Sequence, residues 1–382
     1  LRKNILGIKN FKKFTQKRKL DHIEICLKEF VESKISSGFD DIFFVHKALP
    51  EINKQEIDFK LKFFSHELKA PIIIESMTGG TKEALKINSL LASLAEKFGL
   101  AMGVGSQRAA IENPKLAYTY KIVREKAPKS FILANIGCSQ ILNEDGVELA
   151  KIACEMIDAN ALIIHLNPLQ ESIQKEGETN FKGVLERINK IAHSLNLPVI
   201  VKETGAGISY EVAKALESSG VSGIDIAGLG GTSWAAVEYY RAKKAKDKVK
   251  ECLGKTFWDW GIPTVISLIE VVNAVKIPVI ASGGIRNGIH VAKSIALGAE
   301  ASGIALPFLK LVNLGKKELE NKLLTIIEEL RLAMFLTGAS NLDELKKVPL
   351  IITGKVKEWL LQRGFDLEAF IKKRASRINL KF

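Results

Sequence analysis

Between positions 163 and 171 the chain reads IIHLNPLQE: an apolar run gives way to His165, Asn167, Gln170 and Glu171. An imidazole, two carboxamides and a carboxylate so close together are an unusual load of hydrogen-bonding and ionisable groups to set beside an apolar run. Pro168 turns the chain among them, so that side chains on both flanks can face one cavity. A lone histidine on an apolar strand is ordinarily a satisfied core residue, and the reading therefore depends on what stands nearby. Two glycine-rich segments, GLGGT at 228–232 and SGGIR at 282–286, expose backbone N–H groups of the kind that cradle phosphate. Taken alone, each is as readily a plain tight turn. Lys202 adds a charge at the end of the apolar run PVIVKE, where a buried lysine must find a partner.

The elements that must position these residues recur along the chain. Short β-branched runs occupy 71–77, 100–105, 131–137, 161–167, 198–203, 223–228, 278–284 and 301–306. Between them lie segments with apolar residues at three- and four-residue spacing, such as 82–99 and 146–160, which predict helices. Eight strands alternating with helices predict an α/β protein, a parallel sheet closed into a (β/α)8 TIM barrel, with an open doubly wound sheet as the competitor. In a barrel, chemistry gathers at the carboxyl ends of the strands. That rim would hold Ser76, Thr78, Ser106, Gln107, Arg108, Asn135, His165, Asn167, Gln170, Glu171, Lys202, Glu203, Thr232, Ser282 and Arg286. Phosphate commonly binds between the loops after the seventh and eighth strands, and the paired glycine cradles favour a phosphorylated cofactor. FMN fits that layout, with its ring across the mouth and Lys202 countering negative charge on the reduced ring. The alternative for Lys202 is an ion pair with Glu203 or Glu171.

Residues 1–70 read as an N-terminal extension packed on the barrel, with a helix over 21–33 and a pair of short extended runs over 57–68. Residues 71–340 form the barrel, whose last long helix ends at Gly338, and 341–382 a C-terminal segment. An insert over 228–270 carries the basic run RAKKAKDKVK at 241–250, expected to be a solvated helix or loop, and is a candidate lid.

With 47% hydrophobic and 26% charged residues, and no apolar stretch near the roughly 18 residues of a membrane span, the 382-residue chain reads as soluble, without a membrane partner. Its lysine-rich start lacks the apolar core of a secretory signal, so a cytoplasmic location is expected. Cys26, Cys138, Cys154 and Cys252 form no CxxC pair, which argues against a zinc site or a disulfide framework. The net charge of +13 favours an anionic partner. Nucleic acid is not expected, because the basic run has no interleaved aromatics to stack bases.

Assembled, these segments closely resemble the type 2 isopentenyl diphosphate isomerases, flavoproteins that interconvert isopentenyl and dimethylallyl diphosphate. The resemblance rests on RKLDH at 18–22, SMTGG at 76–80, GSQR at 105–108, HLNPLQE at 165–171, VKETGAGIS at 201–209, GGTSW at 230–234, DWGIPT at 259–264 and SGGIR at 282–286. It implies that Arg18, Lys19, His22, Ser106, Gln107, Arg108, His165, Asn167 and Gln170 bind the substrate, with Gln170 reaching the reacting carbons. It implies FMN contacts at Ser76, Met77, Thr78, Gly79, Ser106, Asn135, Lys202, Thr232, Gly283, Gly284, Arg286, Ala305 and Leu306. Glu171 would help bind a Mg²⁺ ion that also holds the diphosphate. NADPH would reduce the flavin without being consumed stoichiometrically, the reduced ring would act as acid and base, and the assembly would be a homotetramer or homo-octamer. Asp21 departs from the glutamate usual before the histidine. The rival is an FMN-dependent oxidoreductase on the same barrel. A hydroxy-acid oxidase would need a late histidine base, yet the last histidine, His290, falls in a predicted helix. A cysteine-dependent dehydrogenase would need Cys252, which lies beside the basic run without the expected context.

Overall fold

The computed structural model describes residues 16–142 and 144–375. Eight strands, β1 (Ile72–Ile74), β2 (Ala101–Gly103), β3 (Ile132–Gly137), β4 (Ala161–His165), β5 (Val199–Lys202), β6 (Gly223–Asp225), β7 (Val279–Ser282) and β8 (Ala301–Ile304), close into one barrel in chain order. Every neighbouring pair is parallel, and β8 returns to β1 with Ser302 opposite Ile72. Closure excludes the open doubly wound sheet. Each strand is buried along its whole length apart from the half-buried His165 that ends β4, as a sheet wrapped by helices requires. The outer helices are cut at both ends by local chemistry. Helix Lys82–Phe98 starts where Thr81 accepts a bond from the Ala84 N–H and stops at Gly99, whose φ of 63° suits a residue without a Cβ.

The strands are shorter than the apolar runs that predicted them, and the surplus residues turn over the mouth. The first run extends to 77, but β1 ends at Ile74, which leaves Glu75, Ser76 and Met77 on the rim. At the opposite end, the predicted extended runs form a hairpin, Leu61–Phe63 paired with His66–Leu68, whose Phe63 and Phe64 meet Phe131 edge-on and stacked. The helix expected over 21–33 instead spans 16–28. It ends early because the following segment bonds to the β6 loop: Ser33 N–H donates to Gly231 O, and Ser233 N–H to Val31 O. A helix cannot continue through residues whose backbone groups are engaged elsewhere.

Helix Lys316–Thr337 closes at Gly338 as expected, with φ 69°. The chain then runs back to the extension: Leu350–Ile352 pairs antiparallel with Ile42–Phe44, and Arg363 bonds to Glu270 and Glu211. The insert is no free lid. It folds into helices Trp234–Lys244 and Lys248–Thr256, which pack against the 16–28 helix through His22 to Glu238 (2.8 Å) and Lys244 to Asp21 (2.9 Å). Asp21 therefore has a local partner in the basic run. That run is not wholly solvated either, since Arg241 is largely buried between Glu238 (2.6 Å) and Glu176 (3.1 Å). Among the described residues no helix is long and apolar enough to cross a membrane.

Candidate active site

One cavity opens at the carboxyl ends of the strands, and most of the rim residues legible in the sequence line it. From β4, His165 Nδ1 donates to Asn135 Oδ1 at 2.7 Å. Burial, then the Lys19, Lys202 and Arg18 charges, push the imidazole down to about 3, so it is neutral and its Nε2 is an acceptor. Asn167 precedes the short helix Pro168–Ile173, with Pro168 at its first position, where its missing N–H costs nothing. The Asn167 amide donates to Gln170 Oε1 (3.1 Å) and to Glu171 Oε1 (3.0 Å), which locks the three side chains together. The other Glu171 oxygen accepts from Gln174 and from the Glu178 N–H.

Across the mouth stand three cationic side chains. Arg18 lines the cavity on the 16–28 helix, its pKa lowered by burial and then by Arg108. Lys19 Nζ donates to Ser106 O (2.7 Å) and Tyr120 Oη (3.2 Å), and burial followed by Arg18 pushes it down to about 7. Arg108 is held by Glu112 (2.7 Å) and Glu178 (2.8 Å). His22 also lines the cavity, but its Nε2 is engaged by Glu238 and its ring meets Trp234 edge-on at 5.1 Å.

The β5 to β8 side of the mouth has the features FMN needs. Gly283 and Gly284 adopt φ of 97° and 71°, and a Cβ on either would run into the backbone of Gly228 or Gly230. A Cβ on Gly231 would likewise collide with Gly284 N, so two strands of backbone approach closely enough to present N–H groups to an anion. Met77, Thr78, Thr232, Ala305 and Leu306 line the same wall, and the buried Ser76 Oγ has no partner. Lys202 Nζ stands on the floor, 2.8 Å from Asp225, 3.1 Å from Glu75 and 3.3 Å from Ser282 Oγ. Its predicted partners were Glu203 or Glu171. Glu203 instead accepts the N–H groups of Thr204, Gly205 and Ala206, and Glu171 belongs to the Asn167 cluster. Burial opposes the Lys202 charge, but Asp225 and Glu75 outweigh it and hold the pKa above its ordinary value.

Two of the expected contact residues lie outside the cavity lining. Gln107 is fully buried outside the cavity, its Nε2 donating to Ala153 O and its Oε1 accepting the Asn135 N–H, so it braces Asn135 and does not face a substrate. Gly79 also lies outside the lining, and a Cβ there would strike the Tyr120 ring. Arg286 faces the cavity but is paired with Glu32 of the extension, which also receives Lys310 at 3.3 Å. Sequence reasoning missed Glu75, Gln140, Gln174, Asp225 and Glu238. Glu75 had a signal, a carboxylate directly after three isoleucines, whereas Glu238 lies inside a helix of ordinary composition. His290 is not in the lining; its ring stacks on Phe39 at 4.5 Å.

A closed parallel barrel with a glycine cradle and a fixed lysine at its mouth defines the class of FMN-binding barrel proteins, and the model for FMN-dependent dehydrogenase matches residues 165–351. The solved structure of mandelate oxidase with (S)-2-phenylpropionate aligns with a TM-score of 0.59 at 16% identity, over 89% of this chain and 98% of that one. At such identity the likeness speaks for the fold alone. Within the class, the chain belongs to the isopentenyl-diphosphate delta-isomerase family. It is 53% identical to the protein of that name from Methanothermobacter thermautotrophicus, over 93% of this chain and 99% of the relative. It is 52% identical to the one from Pyrococcus furiosus, over 94% and 92%.

Proposed function

We propose that the protein interconverts isopentenyl diphosphate and dimethylallyl diphosphate with FMN bound at the barrel mouth. The observation that carries this reading is that one cavity joins the locked Asn167, Gln170 and Glu171 cluster, the Arg18, Lys19 and Arg108 cations and the Lys202 floor. The reaction adds a proton at one carbon and removes one from another, with no net transfer of electrons. Bound FMN, when reduced, supplies an electron-rich face and a ring nitrogen able to exchange a proton. Arg18, Lys19 and Arg108 take the diphosphate, for which guanidinium forks are well shaped. Gln170, held by Asn167, orients the alkene; an amide is too weak a base to carry the proton itself. Neutral His165 offers an acceptor and adds no charge beside a developing cation. Lys202 would supply a positive charge to the ring, and Arg286 with the glycine cradle would hold the flavin phosphate.

Glu171 suits a single Mg²⁺ contact. Its Oε1 takes only one amide donor, and among the described residues no group of three His, Cys, Asp or Glu side chains could hold a metal ion. An ion that rides on the diphosphate needs one carboxylate, with water and phosphate oxygens completing its shell. NADPH is the reductant in this reading, the location is the cytoplasm, and the assembly is a homotetramer or homo-octamer that mass photometry would count. The deciding experiment is an anaerobic assay of the FMN-loaded protein on isopentenyl diphosphate with Mg²⁺, comparing reduced with oxidised flavin. Dimethylallyl diphosphate formed only under reduction supports the reading. A flavin-loaded protein that forms none, and oxidises hydroxy acids instead, sinks it.

A further inference from the structure

Lys202 is the one cation in a buried cluster with two carboxylates, so the cluster would carry a net negative charge if both were ionised. Asp225 is the better served: it accepts from Lys202, from the Ser282 hydroxyl and, at 3.4 Å, from the Ala227 N–H. Glu75 has Lys202 and the Ser76 N–H on one oxygen, while its Oε1 is buried without a partner. That oxygen lies beside Gly303 of β8, where any side chain would collide with it, and Glu75 lines the cavity floor. The charged groups facing Glu75 are Lys202 from β5 and Asp225 from β6; Ser282 from β7 and Gly303 from β8 add none.

We propose that Glu75, which faces Asp225 across Lys202, is a proton-accepting carboxyl beneath the flavin that takes one proton from solvent when the ring gains negative charge. The inference rests on the placement of FMN given above and makes Glu75 a positioning residue that keeps the net charge around Lys202 and the ring the same in both states of the cofactor. Burial and then Asp225 push Glu75 up to about 7 against the pull of Lys202. A negative ring above the floor raises it further, so Glu75 gains its proton upon reduction at a pH above 7. The balance is simple. Two electrons from dithionite and one proton from water enter the ring, and a second proton passes from water to the Glu75 carboxylate.

The test is a dithionite titration of the FMN-loaded protein against a reference dye between pH 7.5 and 9, with the absorption spectrum reporting whether the reduced ring is anionic. Each proton taken up with an electron pair tilts the potential by about 30 mV per pH unit. The wild type is expected to show a two-proton slope with an anionic ring, and Glu75→Gln half that slope. Asp225→Asn reaches the same result by another route, because Glu75 then pairs one-to-one with Lys202 and stays ionised. It also serves if Glu75→Gln does not fold. A one-proton slope in the flavin-loaded wild type, or a two-proton slope in either variant, overturns the inference alone. A protein that binds no FMN overturns it together with the placement on which it rests.

Discussion

At the scale of single residues, burial sets the charge states at the mouth. Lys19, held down to about 7 by burial and Arg18, is a cation on the acid side of that value and neutral above it. An anionic substrate needs the cation, so kcat/KM is expected to fall as pH rises through 7. Lys19→Arg should remove that limb up to pH 9, because a guanidinium stays protonated. Glu171→Gln should weaken the apparent Mg²⁺ affinity, read from rate against Mg²⁺ concentration, by more than the roughly tenfold that loss of an outer-shell partner already costs. The sequence made the IIHLNPLQE cluster legible because its members are local, and the structure ties Asn167 to neighbours three and four positions on. Gln107 was misplaced for the opposite reason: the partners that turn it inward are 28 and 46 residues away. Nothing in a short motif reports such contacts.

At the scale of elements, the mouth is built from strands that stop early and loops that nearly touch. Gly283→Ala forces a side chain into the Gly228 backbone at a positive φ, which an L-residue rarely adopts. We expect FMN affinity to drop by at least tenfold while far-UV circular dichroism stays unchanged, with quenching of flavin fluorescence as the readout. All eight strands could be read from β-branched runs ending in polar or glycine residues, since period and composition are local properties. The 16–28 helix was shifted in the sequence reading because its end is dictated by the Gly231 and Ser233 backbone, some 200 positions on. The insert looked like a lid for a similar reason, as its docking residue Glu238 has no local signature.

At the scale of the whole molecule, the extension and the C-terminal segment are one structure. The strand Leu350–Ile352 completes a pair begun at Ile42, and Leu350, Ile352, Val356 and Leu360 are buried. At roughly 1.5 to 3 kcal/mol for each buried side chain, removal of residues from 341 onward should lower Tm by on the order of 10 °C, or leave the chain insoluble, as scanning calorimetry and solubility would record. The sequence divided the chain at 70 and 340, but composition could not reveal that the two flanks pair with each other.

The contact between His22 and Glu238 spans 216 residues. During synthesis at about 5 to 20 residues per second, roughly 10 to 40 s pass between the emergence of the basic 16–28 helix and that of the surface on which it docks. The docking of this helix beside the cavity is thus among the last contacts to form on the ribosome. A chain halted before the sixth barrel unit has Ser106 and Tyr120 to receive Lys19, but not the Glu238 carboxylate that anchors His22.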